Sequence, residues 1–460
     1  MNRFKGKKVL IVGIGKTGFA LIKFFNHIGC EIKVTDIMPI FDLNKAIKRL
    51  KRIVPQPETT FGEHRREDFL EADVICYSSA VNPDLPLLEL ARSYGKQVYS
   101  EFELANLFYD RPVILVAGTY GRTSVSYMLA FILKQEGKNV FVGGSRDNPF
   151  IELAMLPDRE NIDYVILEVS AKQSYKLASL RSCMIIFTSI GESYSTQLFP
   201  SVSAYIEVKL SILKSLEDEG ILIVNFDTLS NNSILRDDPH STYWYSRRSF
   251  VKMGVIKNFQ GTHFHNRRIH SNINYHSEFV VSKMRIVGVH NRENLLAAIT
   301  AAKALDISDR SIQTCIEKFP GIPHRLEFLI EKNGVSFYND SKSETMEELV
   351  AAFEGFKRQI ILIAGGKDSE NMSFDKYADV IIEHVRVLIL IGECKERFNR
   401  AMSNHPQTFI VGSFEESVLF AYQKSRTGDV ILLSPGNSAS DFFRDYEERG
   451  NYFKKLVYQL

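Results

Sequence analysis

Val113-Ile114-Leu115-Val116-Ala117-Gly118-Thr119-Tyr120-Gly121-Arg122-Thr123-Ser124 joins five consecutive apolar residues to a turn with two glycines and then to a helical pattern. An unbroken apolar run needs cover on both faces, which a parallel strand buried between helices provides. A glycine-rich turn that delivers the chain into a helix N-terminus presents unpaired backbone N–H groups, the requirement for holding a phosphate. Backbone from Gly118, Thr119, Gly121 and Ser124 is placed to cradle one, and the Thr123 hydroxyl is a candidate Mg²⁺ ligand. Arg122 stands where such a loop expects lysine. It keeps the positive charge but replaces a compact ammonium with a bulky planar fork. A purely structural turn is the alternative at this level.

The same strand-turn-helix rhythm runs outward in both directions. Apolar runs at 9–12, 73–77, 164–167, 184–188, 221–224, 335–338, 360–364, 387–391 and 430–433 alternate with helix-length segments. That alternation predicts an α/β fold built on parallel sheets, not an all-β sandwich. With 460 residues the chain is too long for one core, so we expect three domains. Polar or proline-rich breaks at Tyr109-Asp110-Arg111-Pro112 and Phe319-Pro320-Gly321-Ile322-Pro323 divide it into 1–109, 110–318 and 319–460.

Composition excludes several function classes. Hydrophobic residues at 45% and charged residues at 24% describe a folded globular chain and argue against disorder. A formal net charge of +2 without a basic block gives no argument for nucleic-acid binding. No segment reaches the roughly 18 apolar residues of a membrane span, so a cytoplasmic protein without membrane association is expected. The five cysteines are odd in number and lack metal-ligand spacing, which fits small buried hydrophobes in a reducing compartment.

Gly13-Ile14-Gly15-Lys16-Thr17-Gly18 also follows a strand and opens a helix, and Asp36 ends the next strand. This is the spacing of a dinucleotide fingerprint. By itself it admits an NAD-dependent oxidoreductase, another phosphate ligand or a plain turn. Glu168 ends the run 164–167, at the carboxyl edge where open α/β sheets hold ligands, and reads as an Mg²⁺ ligand or a helix cap.

Taken together, the motif order resembles the Mur ligases over essentially the whole chain. The most specific stretches are Gly288-Val289-His290-Asn291-Arg292-Glu293-Asn294, Gly321-Ile322-Pro323-His324-Arg325-Leu326-Glu327, Asn339-Asp340-Ser341-Lys342 and Leu433-Ser434-Pro435, with Asp441-Phe442 following. Within the family the pattern is most similar to the D-glutamate-adding, MurD branch. The resemblance implies a three-domain architecture: a Rossmann-like first domain, a central phosphate-loop ATP-binding domain and a Rossmann-like C-terminal domain that takes the amino acid. It implies that UDP-N-acetylmuramoyl-L-alanine binds near Thr17, Asp36 and Ser78. ATP falls to Gly118–Ser124, with Asn291, Asn294, Arg325, Asp340 and Lys342 completing the site across an inter-domain cleft lined by Thr123, Glu168, Lys209, Arg325 and Asp340. The implied reaction passes through an acyl phosphate that an amine then attacks. Arg122, Glu168 and Lys209 are its catalytic residues, and Thr123, Glu168 and a carbamylated Lys209 are its metal ligands. A monomer is expected.

Departures from the family pattern fall at these same sites. Besides Arg122, Tyr194 stands at a histidine position and Ser145 at an asparagine position. A neutral phenol with an ordinary pKa of ~10 is a poor Mg²⁺ ligand. In the amino-acid pocket Glu344 replaces threonine, Ser369 lysine and Ala439 serine, while Tyr446 is retained and Lys367 or Arg444 could restore a cation. Three readings stand at this point: a MurD-type ligase, a catalytically impaired binding or regulatory paralogue, and an NAD-dependent oxidoreductase.

Overall fold

The structure is a computed structural model. It describes every residue except 1, 146, 175–176, 178–179, 189–200, 231, 250–259, 283–288, 354, 357 and 368–372. The chain divides into two compact units: residues 1–280 with 294–315, and 281–293 with 316–460.

The first unit contains two sheets. Strands β1 (Lys8–Val12), β2 (Glu31–Asp36), β3 (Glu58–Phe61), β4 (Val74–Tyr77) and β5 (Gln97–Ser100) pair in parallel in the order β3-β2-β1-β4-β5. The order reverses beside β1, and the crevice at such a switch point, past the carboxyl ends of the strands, is where open sheets bind ligands. Gly13, Asp36 and Ser78 follow or end β1, β2 and β4 at that edge.

The second sheet comprises β6 (Val113–Ala117), β7 (Val140–Gly143), β8 (Tyr164–Val169), β9 (Ser182–Phe187), β10 (Leu216–Asn225), β11 (Ser241–Ser246), β12 (Gly261–His265), β13 (Arg268–Ser271) and β14 (Ser277–Val280). Its order is β14-β13-β12-β11-β10-β9-β6-β8-β7. The strands are parallel from β7 to β12, and β12, β13 and β14 then form an antiparallel ribbon. All five residues of β6 are buried, as its apolar run requires. The two sheets share a core. Phe150 packs on Phe102 and Tyr109 with ring centroids 5.8 and 6.4 Å apart, and the Ile151 N–H donates to the buried Glu101 carboxylate at 2.7 Å. Those contacts tie together the segments on either side of the polar break at 109–112.

In the second unit, β15 (Glu327–Lys332), β16 (Val335–Asn339), β17 (Ile360–Gly365), β18 (Val385–Ile391), β19 (Thr408–Ile410) and β20 (Val430–Leu433) take the order β15-β16-β20-β17-β18-β19. Only the β15–β16 pair is antiparallel. β17 and β20 are buried throughout, covered on one side by Met346, Leu349 and Phe353 and on the other by Phe414, Val418 and Phe453.

Candidate active site

The glycine turn after β1 is dictated by space. Gly13 has φ 91°, and a Cβ on Gly18 would stand 2.1 Å from the Gly13 carbonyl oxygen, so the turn folds tightly onto the helix Lys16–Ile28 only without side chains there. Around Gly15, by contrast, the space is open, and no side chain caps the helix N-terminus. Asp36 braces the turn: one carboxylate oxygen accepts from the Ile14 N–H at 2.8 Å and the other from the Met38 N–H at 3.0 Å. This bracing gives Asp36 a task in the turn itself that needs no nicotinamide ribose. Thr17 and Ser78 are buried beside it.

The turn after β6 has the same logic with more chemistry around it. Gly118 and Gly121 adopt φ 144° and 82°, and Asn294 lies so close to Gly121 that an added Cβ would meet its Oδ1 at 2.1 Å. The helix Arg122–Gln135 starts there with no side-chain cap, which leaves its first N–H groups for an anion. Thr123 donates its hydroxyl to Glu168 at 2.7 Å, and Glu168 itself is buried at the end of β8. Two oxygens at that separation match neighbouring corners of an octahedron around an ion at 2.0–2.1 Å, whose edge is about 2.9 Å. The hydroxyl and carboxylate donor set therefore fits Mg²⁺.

Lys209 enters from the helix Val202–Leu210. Its ammonium is 1% exposed and donates to the Gly118 carbonyl at 2.6 Å. Burial, with the neighbouring Arg122 charge adding to it, pushes its pKa down to about 7. A substantial neutral fraction near physiological pH is the nucleophilic form that a carbamylation needs. Arg122 turns its guanidinium back to the Val169 carbonyl at 2.9 Å, and burial lowers its pKa. One turn before Lys209, Tyr205 contacts the Thr119 hydroxyl at 3.0 Å and lies under the Lys209 ammonium, 5.0 Å from the ring centroid. Tyr205 was missed in the sequence, although its spacing of four from Lys209 puts both on one helix face. Ser145 accepts from the Asn148 N–H at 3.2 Å.

In the second unit Asp340 follows the end of β16 and is buried. It accepts from the Leu326 N–H at 3.1 Å and the Ser434 hydroxyl at 2.8 Å, and desolvation nonetheless raises its pKa to about 7. Arg325 is exposed on the same turn. The Lys342 ammonium sits 5.0 Å from the Tyr446 ring centroid. Ala439 is buried, and its carbonyl accepts from the Phe443 N–H at 3.0 Å. Lys367 pairs with Glu393 at 2.9 Å and Arg444 with Glu448 at 3.2 Å, so both candidate replacement cations have acidic partners. The cation that the sequence did not reveal is Arg449. Almost wholly buried in the helix Tyr446–Gln459, it holds Ser341 and Asn437 by three bonds of 2.8–3.0 Å. Its charge acts on Glu344 and Asp441, although burial lowers its own pKa to about 10. Tyr194 and Ser369 lie outside the described residues.

The chain matches the MurD-like N-terminal domain over residues 7–100, the Mur ligase middle domain over 116–302 and the Mur ligase glutamate ligase domain over 324–437. It is 34% identical over 457 residues to a UDP-N-acetylmuramoylalanine–D-glutamate ligase of Bdellovibrio bacteriovorus, covering 98% of this chain and 97% of that one. The chain belongs to the Mur ligase family. A second ligase of that name, from Geotalea uraniireducens, is 32% identical over 461 residues, 99% of this chain and 98% of its own. Among solved structures, MurC from Thermotoga maritima aligns with a TM-score of 0.56 at 15% identity over 98% of this chain and 99% of that one. MurF from Acinetobacter baumannii gives 0.56 at 14% over 100% and 92%. Both share the Mur ligase fold. Mur ligases are ATP-dependent amide ligases, and this Mur ligase is a MurD-like member acting in peptidoglycan synthesis. No helix among the described residues is long and apolar enough to cross a membrane.

Proposed function

We propose that this Mur ligase joins D-glutamate to UDP-N-acetylmuramoyl-L-alanine at the expense of ATP, as a cytoplasmic monomer with domains at 1–109, 110–318 and 319–460. The observation that carries the reading is the convergence of the uncapped Gly118–Ser124 turn, the Thr123–Glu168 contact and buried Lys209 at one sheet edge. ATP phosphates take the first N–H groups of the helix Arg122–Gln135, which no side chain caps, with Asn294 buttressing the turn. By family resemblance Asn291, Arg325, Asp340 and Lys342 also serve the nucleotide. Thr123 and Glu168 would hold Mg²⁺, with a carbamylated Lys209 as a further ligand, and the bound ion would supply charge neutralisation for phosphoryl transfer. The chain's own residues do the positioning. The N–H groups hold the phosphates, and Arg122 supports β8 behind the site through Val169. The UDP-linked substrate occupies the open turn at Gly15, near Thr17, Asp36 and Ser78.

The amino-acid pocket falls to Glu344, Ser369, Ala439 and Tyr446. Two like charges 4 Å apart repel by about 4 kcal/mol at an effective dielectric of 20. The Arg449 charge, which acts on Glu344, offsets part of that repulsion toward an acidic substrate.

Calorimetry separates the binding steps. Thr123→Ala should weaken Mg-ATP binding by roughly 10-fold, the loss of one hydrogen-bonded ligand group, and leave the UDP-linked substrate unaffected. Equal ATP affinity in the variant removes the nucleotide from this turn. Tight NAD binding with no affinity for the UDP-linked substrate would instead support an oxidoreductase.

A further inference from the structure

The antiparallel ribbon β12–β14 carries a histidine cluster unconnected with the ligase site. In its register His263 faces His270, and His270 faces Glu278. Side chains alternate across a strand, and Thr262, Ile269, Ser271, Ser277 and Phe279 fill the buried face. His263, His270 and Glu278 therefore form a row across three strands on the opposite face, and His276 joins from two residues before Glu278. The His263 and His270 rings stack with centroids 5.5 Å apart, and the His270 and His276 centroids are 5.9 Å apart.

We propose that His270, His276 and Glu278 form a binding site for a divalent transition-metal ion, zinc being the type it suits. Their ligand atoms already lie within 4.8 Å of one another. Glu278 Oε1 is 3.4 Å from His276 Nε2 and 3.5 Å from His270 Nδ1. Ligands at 2.0–2.2 Å around a tetrahedral ion are about 3.3–3.6 Å apart, so both histidines already stand at coordinating distance from Glu278, and the two ring nitrogens lie within 4.8 Å of each other. Two imidazoles with a carboxylate favour zinc and its neighbours over magnesium, which prefers oxygen alone. The bland alternative is a satisfied structural histidine. His405 is one, with its ring nitrogens on Thr408 at 2.9 Å and the Val385 carbonyl at 2.8 Å. His270 differs, because its Nε2 is buried without a hydrogen-bond partner, while its Nδ1, the nitrogen that would coordinate, faces Glu278 Oε1 at 3.5 Å. The fourth coordination position is left to water or to His263. Arg268, 3.2 Å from Glu278, competes with the ion for the carboxylate.

The test is calorimetric titration of chelator-stripped, full-length protein with zinc in millimolar Mg²⁺, which fills the oxygen-ligated sites. One ion should bind per chain. His276→Ala and Glu278→Gln, both at exposed positions and checked for folding by circular dichroism, should each weaken binding about 10-fold or more. Arg268→Ala should tighten it, and the exposed His27→Ala should leave it unchanged. Absence of saturable zinc binding, or equal affinity in the His276 and Glu278 variants, overturns the site.

Discussion

Asp340, proposed above for the nucleotide site, is buried at a cost to the fold. Its folded pKa of about 7 exceeds the ordinary 3.8, so between those values the folded state keeps a proton that the unfolded chain releases. Stability from this group is therefore fully present below about pH 4 and is lost as pH rises toward 7. Asp340→Asn keeps an acceptor for Leu326 and can donate to Ser434. Thermal melts should show it raising Tm by about 2–5 °C at pH 8, with a smaller gain at pH 5. An equal shift at both pH values would mean that Asp340 is not a buried titrating group. The amino-acid pocket proposed around Glu344 is tested on the same electrostatic grounds. Glu344→Thr with Ser369→Lys should lower the D-glutamate KM by roughly 10-fold, about 1.4 kcal/mol of binding, whereas Arg122→Lys should act on ATP-dependent steps. Separate kinetics for amino acid and nucleotide check this, and an unchanged D-glutamate KM in the double variant removes the altered pocket as the specificity determinant.

At the scale of elements, two glycines in one motif have opposite roles. Gly18→Ala forces a Cβ against the Gly13 carbonyl and should cost about 1–3 kcal/mol in urea unfolding. Gly15→Ala meets nothing within 4 Å, so it should leave stability nearly unchanged while intruding on the open turn and weakening the UDP-linked substrate. The reverse pattern would mean that this turn is structural only. What the sequence made legible at this scale follows from burial. β6, β17 and β20 are apolar on both faces, and their runs are continuous. The ribbon β12–β14 was invisible for the complementary reason. Its short strands have one face in the core and the other lined with histidines and Glu278, and Thr262, Ser271 and Ser277 make even the buried face partly polar. Arg449 was hidden differently. It lies in a helix rich in Lys and Glu where any arginine reads as solvated, and only the tertiary contacts with Ser341 and Asn437 reveal its burial. Thr123, Glu168 and Lys209 were nameable because each sits beside a glycine turn, at a strand end or within a family motif.

For the whole molecule, the departures at Arg122, Tyr194, Glu344, Ser369 and Ala439 decide between a working ligase and a binding paralogue. The intact Thr123–Glu168 contact and the low-pKa Lys209 favour turnover. The most direct measurement is phosphate release by the purified protein with UDP-N-acetylmuramoyl-L-alanine, Mg-ATP and D-glutamate, each omitted in turn. The account predicts release only with all three present, one phosphate per amide formed, and a loss of at least about 100-fold in kcat in Lys209→Gln. Undetectable release from a folded protein that binds both UDP-N-acetylmuramoyl-L-alanine and ATP would contradict it.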